Sequence, residues 1–427
     1  MKILRIALCL LIAFGVLAHG VVEVWSLSLL EIGVALLMVL WALLLYRDPQ
    51  MKIVWNPLNW PLLGFIAIGL FQLVFRLSAY PYLTLTDLLK YVVYFIIFFL
   101  TTQAFRERAD FMRLAWFLIL LGFAVSLFGI VQHFTSEGEI YWIRKPVEGG
   151  DIFGPYVNRN HFAGFVELVL PVGLALMVFR GLRRDLYPMM VLLTLIPLGA
   201  LVLSGSRGGI VGFAFELGVL ALLARTRRRR GKESKRLLTW GIIGLAAMAF
   251  MVWLGAGKLA ERFSNVRKGD VSLERRVTLF EGAARVFLHH PVMGTGMGTL
   301  VSVFPGYETA YDGRLVEHAH NDYIETLADM GILGGICGLA FLWFLYRGAR
   351  QSWEAEQGHF SRAIHAAAIM AVCGLLLHSL VDFNLQIPAN AILFLVQASL
   401  ATSAPLPSES AVPLMRDHPR SRKRIPI

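Results

Sequence analysis

The sequence predicts an all-α fold, a polytopic membrane helix bundle of about twelve transmembrane helices with one long outer loop, and three observations lead there. The 427 residues are 57% hydrophobic and only 16% charged, with mean hydropathy +0.63, more apolar surface than a soluble core of this length can hide. Apolar runs of about 17 to 25 residues, the length that crosses a hydrocarbon core of roughly 30 Å, recur along almost the whole chain. Arg and Lys gather in the short segments between alternate runs, where they act as topology signals.

Met1 to Gly20 has a basic start and an apolar middle, like a signal peptide, but many spans follow, so it reads as an uncleaved first helix, placed near 4–22. Further helices are expected near 27–46, 58–75, 82–103, 111–133, 161–179, 186–203, 209–225, 239–256, 329–346, 364–383 and 389–403. With the N-terminus cytoplasmic, the inner segments hold Lys2 and Arg5, Arg47 and Lys52, Arg106 and Arg108, and Arg180, Arg183 and Arg184. The dense run from Arg225 to Arg236 follows, then Arg347, Arg350 and Arg362, and finally the tail from Arg416 to Arg424. Every even-numbered crossing thus ends on a basic segment, which places both termini inside. The net charge of +11 therefore reads as topology and lipid-headgroup contact and argues against nucleic acid.

The chain divides into nine helices over 1–256, a loop over 257–328, three helices over 329–403 and a proline-rich, basic, disordered tail over 404–427. Inside the long loop, EGAARVFLHH from Glu281 to His290 puts Ala284, Phe287 and Leu288 on one side. It predicts a short helix that either lies in the outer interface or packs on the bundle. Cys9, Cys337 and Cys373 all fall in apolar runs without metal-ligand spacing, which argues against a disulfide or zinc site.

The polar clusters all land at the outer ends of helices. FGPYVNRNHFAG, from Phe153 to Gly164, carries Asn158, Arg159, Asn160 and His161 where one capping residue would do. LSGSRGG, from Leu203 to Gly209, is a tight break that sets Ser206 and Arg207 at the membrane boundary, with glycines that leave amides free for an anion. ERR at Glu274 to Arg276 precedes HPVMGTGMGT at His290 to Thr299, whose glycines do not follow a strand and so do not read as a nucleotide site. HAHNDYIETLADMGILGG, from His318 to Gly335, places His320, Asn321 and Glu325 at the mouth of the bundle, and SLVDFNLQIPAN brings Asp382 to the same face. Each of these residues has a bland role available, as a cap, a solvated ion pair or a structural histidine. Together, so many polar groups at one face of a membrane bundle cost free energy unless they serve a site. Two guanidiniums beside glycine amides suit a pyrophosphate.

In these motifs the sequence resembles the O-antigen ligase and polymerase superfamily, membrane glycosyltransferases that take a glycan from undecaprenyl pyrophosphate at the periplasmic face. The resemblance spans roughly residues 150–400 and rests on SGSRGG, the arginine of RVTLF at Arg276, PVMGTGMG and HAHNDYIETLADMGILGG. It implies that Arg207 and Arg276 bind the donor pyrophosphate and that His320 is the catalytic residue. Arg159, Asn160, His161, Ser206, Asn321 and Glu325 complete the expected substrate-binding set, with Asn321 and Glu325 placed to fix His320 and His318 pointing elsewhere. Ligases often show His, a small polar residue, nine others, then Gly-x-x-Thr; here Gly331 falls at the right spacing and Gly334 replaces the Thr.

Ligation of O-antigen to lipid A-core is thus the leading expectation. Polysaccharide polymerases and protein O-oligosaccharyltransferases share the chemistry and differ in the acceptor. No cofactor is implied. Asp151, Asp312 and Asp322 have no metal-binding spacing, so a metal-independent, inverting transfer in the inner membrane is expected. A transporter, the rival from another class, would need charges at mid-membrane depth or an internal repeat; Glu31, Asp87, Lys90 and Glu167 are scattered, and no repeat is seen.

Overall fold

A backbone in lipid can satisfy its N–H and C=O groups only within itself, so apolar runs of this length become helices. The computed structural model describes residues 1–145, 151–226, 271–308, 315–355 and 358–404. Its helices in chain order are α1 (Lys2–Leu17), α2 (Val24–Arg47), α3 (Asn59–Val74), α4 (Pro81–Ala104), α5 (Arg108–Thr135), α6 (Arg159–Val178), α7 (Tyr187–Ser204) and α8 (Arg207–Thr226). After a gap come α9 (Val271–His289), the single turn α10 (Leu300–Val303), α11 (Asp322–Ala355), α12 (His359–His378) and α13 (Pro388–Ala401). Among the described residues, eight helical stretches are long and apolar enough to cross a membrane, and α3 and α13 are shorter apolar helices. The all-α polytopic bundle is therefore the fold, and the protein is a multi-pass membrane protein.

The expected ninth helix at 239–256, the basic run from Arg227 to Arg236, the start of the long loop and the tail from 405 all lie outside the described residues. The other expected helices each have a counterpart, with corrected ends. α12 stops at His378 rather than 383, which leaves Asp382 on a turn. α11 begins at Asp322 rather than 329, because the Asn321 carboxamide accepts from Tyr323 N (3.0 Å) and Ile324 N (3.1 Å) and caps it there.

The long loop is less open than expected. α9 buries Leu279, Ala283 and Val286 in a small core with Phe304, Ile324 and Ala328, so it packs on α11. Of the side expected from the sequence, Ala284 packs against this core, while Leu288 is 69% exposed, with Val277 and Phe280 exposed beside it.

α6 is buried almost throughout and is surrounded by α5, α7, α8, α12 and α13. Leu36, Leu43, Leu120, Leu222, Leu339 and Trp343 face outward, as lipid-facing residues do. Arg5 ties α1 to Ala104 O (2.7 Å) and Asp110 (2.5 Å), and Asn56 bonds Thr402 (2.8 Å), so the ends of α4 and α13 and the starts of α1, α3 and α5 share one end of the bundle. At the other end, His19 meets Pro155 O (3.1 Å), and Tyr156 bonds Asn390 (3.0 Å), whose amide donates to His161 O (2.8 Å).

α11 is broken once. Gly331 has φ 62° and ψ −160°, a backbone region open essentially to glycine alone. Into this break fits the glycine run of 293–298: Ile332 N donates to Pro291 O (2.8 Å), Thr295 N to Ala328 O (3.0 Å) and Gly296 N to Asp329 O (3.0 Å). The Asp329 carboxylate accepts from Gly298 N (2.9 Å) and Leu300 N (3.0 Å), and Gln72 of α3 donates to Met293 O (2.6 Å). The HPVMGTGMGT motif is thus a backbone clasp around the break in α11.

Candidate functional site

His320 enters the site from the short segment ahead of α11. Its φ of 51° puts a non-glycine residue in the left-handed region, a conformation that persists only where neighbours impose it. They do: Asn321, besides capping α11, donates from Nδ2 to Leu380 O (2.8 Å), and Asp322 N donates to Ser379 O (3.1 Å). The segment is thereby laced to the turn that follows α12.

That turn carries Asp382, which is 1% exposed and is the hub of the site. His320 Nδ1 stands 3.3 Å from its Oδ1, His161 Nε2 3.9 Å from the same oxygen, and Arg276 Nη2 3.8 Å from Oδ2. Burial by itself would raise the Asp382 carboxyl; the facing His320, with His161 and His378 nearby, outweighs burial and holds it well below the usual carboxylate range. Next in the chain, Phe383 is a wedge for three imidazoles. His318 stacks on it at 4.3 Å, while His161 and His320 meet it edge-on at 4.6 and 4.8 Å.

Arg207 is the first residue of α8 and is exposed. A Cβ on the next residue, Gly208, would stand 2.5 Å from His378 Nε2 and 3.4 Å from Val381, so the first turn of α8 packs directly on the turn that bears Asp382. Arg207, Arg276, His161 and His320 therefore reach one region from four parts of the chain.

Other expected members have different work. Ser206 is buried and caps α8, its Oγ accepting from Gly209 N (3.2 Å). Asn158 caps α6 by accepting from Asn160 N (2.8 Å), so Asn160 enters through its backbone, and Arg159 pairs with Asp151 (2.7 Å). Glu325 does not fix His320. Its carboxylate takes His318 Nδ1 (2.6 Å) and Ala319 N (2.8 Å), because residues 318–321 precede the helix and helical spacing does not apply to them. His318 accordingly belongs to the cluster: burial pushes its imidazole down, but the Glu325 charge and hydrogen bond prevail and raise it.

Beside the histidines, an apolar cleft of about 440 Å³ runs along α11. Asp322, Tyr323 and Gln386 line its polar end, and Phe65, Gly334, Gly335, Gly338 and Phe394 its apolar length. Among the described residues, no group of three or more His, Cys, Asp or Glu is arranged to hold a metal ion.

A family model described as O-Antigen ligase matches residues 191–339, the stretch that includes Arg207, Arg276, the glycine clasp and His320. Over this stretch the chain is similar to the O-antigen ligase family. A search of curated proteins finds no match. In a chain with many apolar helices, that similarity supports a membrane glycosyltransferase-type enzyme that acts on a lipid-linked glycan and an acceptor. Asp382 and Phe383 lie beyond the matched stretch. In the sequence, only the placement of SLVDFN at the same face as the other clusters pointed to them.

Proposed function

We propose that the protein is an inverting, metal-independent glycosyltransferase of the bacterial inner membrane. It moves a glycan from undecaprenyl pyrophosphate to an acceptor at the periplasmic face, with ligation of O-antigen to lipid A-core as its reaction. One arrangement carries the proposal: a buried carboxylate lies between His320 and Arg276, on the turn that supports the helix start of Arg207.

The diphosphate is already a good leaving group, so the protein has to take one proton and steady one growing charge. With Nδ1 turned to Asp382, Nε2 of His320 is the nitrogen left to accept the proton of the acceptor hydroxyl. The acceptor oxygen bonds to the anomeric carbon from the face opposite the diphosphate. The bond from that carbon to the diphosphate oxygen breaks, and undecaprenyl pyrophosphate departs with the electron pair. Arg207 and Arg276 hold the diphosphate, since a guanidinium fork matches two phosphate oxygens at once and needs no metal. The cleft beside Asp322 suits the polyprenyl tail, apolar along its length and polar at the end nearest His320.

One residue favours a second reading, polymerisation of the glycan. Gly334 stands where ligases often have Thr, and a Cβ there would meet the Met330 Cβ at 2.5 Å and Thr326 O at 3.2 Å. The deciding assay supplies purified protein with undecaprenyl-pyrophosphate glycan and one of three acceptors: lipid A-core, a second glycan donor or a pilin-like protein. Product on lipid A-core, undiminished by EDTA, is expected. A lengthened glycan still on undecaprenyl pyrophosphate would make the protein a polymerase. His320→Ala should lose about 10² to 10⁴ in single-turnover rate with donor still bound; normal turnover, or failure in donor binding alone, would end the base assignment.

A further inference from the structure

Three ionisable side chains lie inside the bundle below the site and touch none of the reacting groups: Glu167 on α6, Glu216 on α8 and His378 at the end of α12. They are 0%, 0% and 2% exposed. His378 Nδ1 is 2.7 Å from Glu167 Oε2. The helices are cut away to admit these groups. A Cβ on Gly208 would come 2.5 Å from His378 Nε2, one on Gly212 1.8 Å from Glu167 Oε1, and one on Gly374 2.3 Å from Glu216 Oε1. Glycine weakens a helix relative to alanine, so admitting these groups works against the packing of the three helices. Nor does stability account for the pair, because well-packed apolar residues in place of a buried ion pair are often neutral or stabilising. Ionisable groups at such depth ordinarily serve a function.

The neighbours of the pair indicate which function. Gly208 directly follows Arg207, so the His378 ring is seated against the first turn of α8. On its other side, His378 O accepts from Val381 N (3.0 Å), closing the turn that leads to Asp382. Glu167, from α6, holds the ring in place between the two.

We propose that Glu167 and His378 form a positioning pair for Arg207: the ring sets the height and direction of the first turn of α8, so that the guanidinium meets the donor diphosphate. The pair acts through Gly208 and touches no substrate. Glu216, packed against Gly374, continues the same polar seam one step deeper. The inference rests on the reading of Arg207 as a diphosphate ligand.

A double-mutant cycle tests it, with undecaprenyl pyrophosphate itself as the probe and its dissociation constant in detergent micelles as the readout. Glu167→Gln should weaken binding about tenfold, which is roughly 1.4 kcal/mol. Arg207→Ala should weaken it at least as much. In the Arg207→Ala background, Glu167→Gln should then add less than about twofold, because residues acting through one contact are not additive. Gly208→Ala leaves every charge in place and displaces only the ring, and should reproduce the Glu167→Gln effect if that variant fails to accumulate. Full additivity of the two losses, or wild-type binding by both Glu167→Gln and Gly208→Ala, would overturn the positioning role. Wild-type binding by Arg207→Ala would instead overturn the diphosphate reading beneath it, and the proposal with it.

Discussion

Asp382 stands between an imidazole and a guanidinium, and its loss would be felt on both sides. Asn in its place keeps the shape but removes the charge, so His320 loses the partner that fixes its tautomer and Arg276 a nearby counter-charge. Asp382→Asn is expected to cost about 1–3 kcal/mol of transition-state stabilisation, roughly 5- to 150-fold in turnover, with the fold retained. Single-turnover transfer measured beside circular dichroism checks this, and unchanged turnover would remove Asp382 from the site. The motifs single out His320, Arg207 and Arg276, because each sits in a distinctive local string, and the structure turns His320 and Arg276 toward one carboxylate. The weight of Asp382 was not legible, since its partners arrive from α6, α9 and the segment before α11, and pairings of that kind are set by packing rather than by spacing. Glu325 was misread for a related reason. Counting turns from His320 assumed a helix that starts only at Asp322.

Helix positions were legible because lipid leaves the backbone few choices, and the run lengths follow from membrane thickness. The glycine run of 293–298 was not, because its partner is the break at Gly331, and two backbones meeting leave no periodic trace in either string. That clasp sets how the first turns of α11, and with them His320, sit against α3. A Cβ at Gly331 would fall 2.3 Å from the carbonyl carbon and oxygen of Val292, on a backbone already in glycine's own region. Gly331→Ala should therefore lose upward of about 1–3 kcal/mol from strain alone and abolish transfer. Gly338→Ala, seven residues on in the same helix, has nothing within 4 Å of its new methyl and should keep its unfolding temperature. Thermal unfolding of the two variants in detergent separates them, and a Gly331→Ala protein as stable as wild type would show that the clasp carries no strain.

At the scale of the bundle, the alternation of basic and polar ends becomes a statement about sidedness. Arg5, Lys52, Arg106 and Asp110 are bound to one another's segments at one end, while His161, Arg207, Arg276 and Asp382 gather where α6, α8 and α13 begin. Positive loops are retained in the cytoplasm, so the first end is expected inside and the second outside. A protein that draws on a glycan already carried across the membrane needs its histidine cluster on the outer side, and the charge pattern and the chemistry therefore make the same demand. Two positions in a cysteine-free background test them together. Arg183, in the connection between α6 and α7, has a side chain 83% exposed and belongs to the basic end; Glu308 closes the described part of the loop beyond α10 at the other end. Glu308→Cys should react with a membrane-impermeant maleimide in intact cells, and Arg183→Cys only after the inner membrane is permeabilised. Labelling of Arg183→Cys from outside, with Glu308→Cys protected, would turn the bundle over and leave the site facing the compartment where lipid-linked glycans are built rather than transferred.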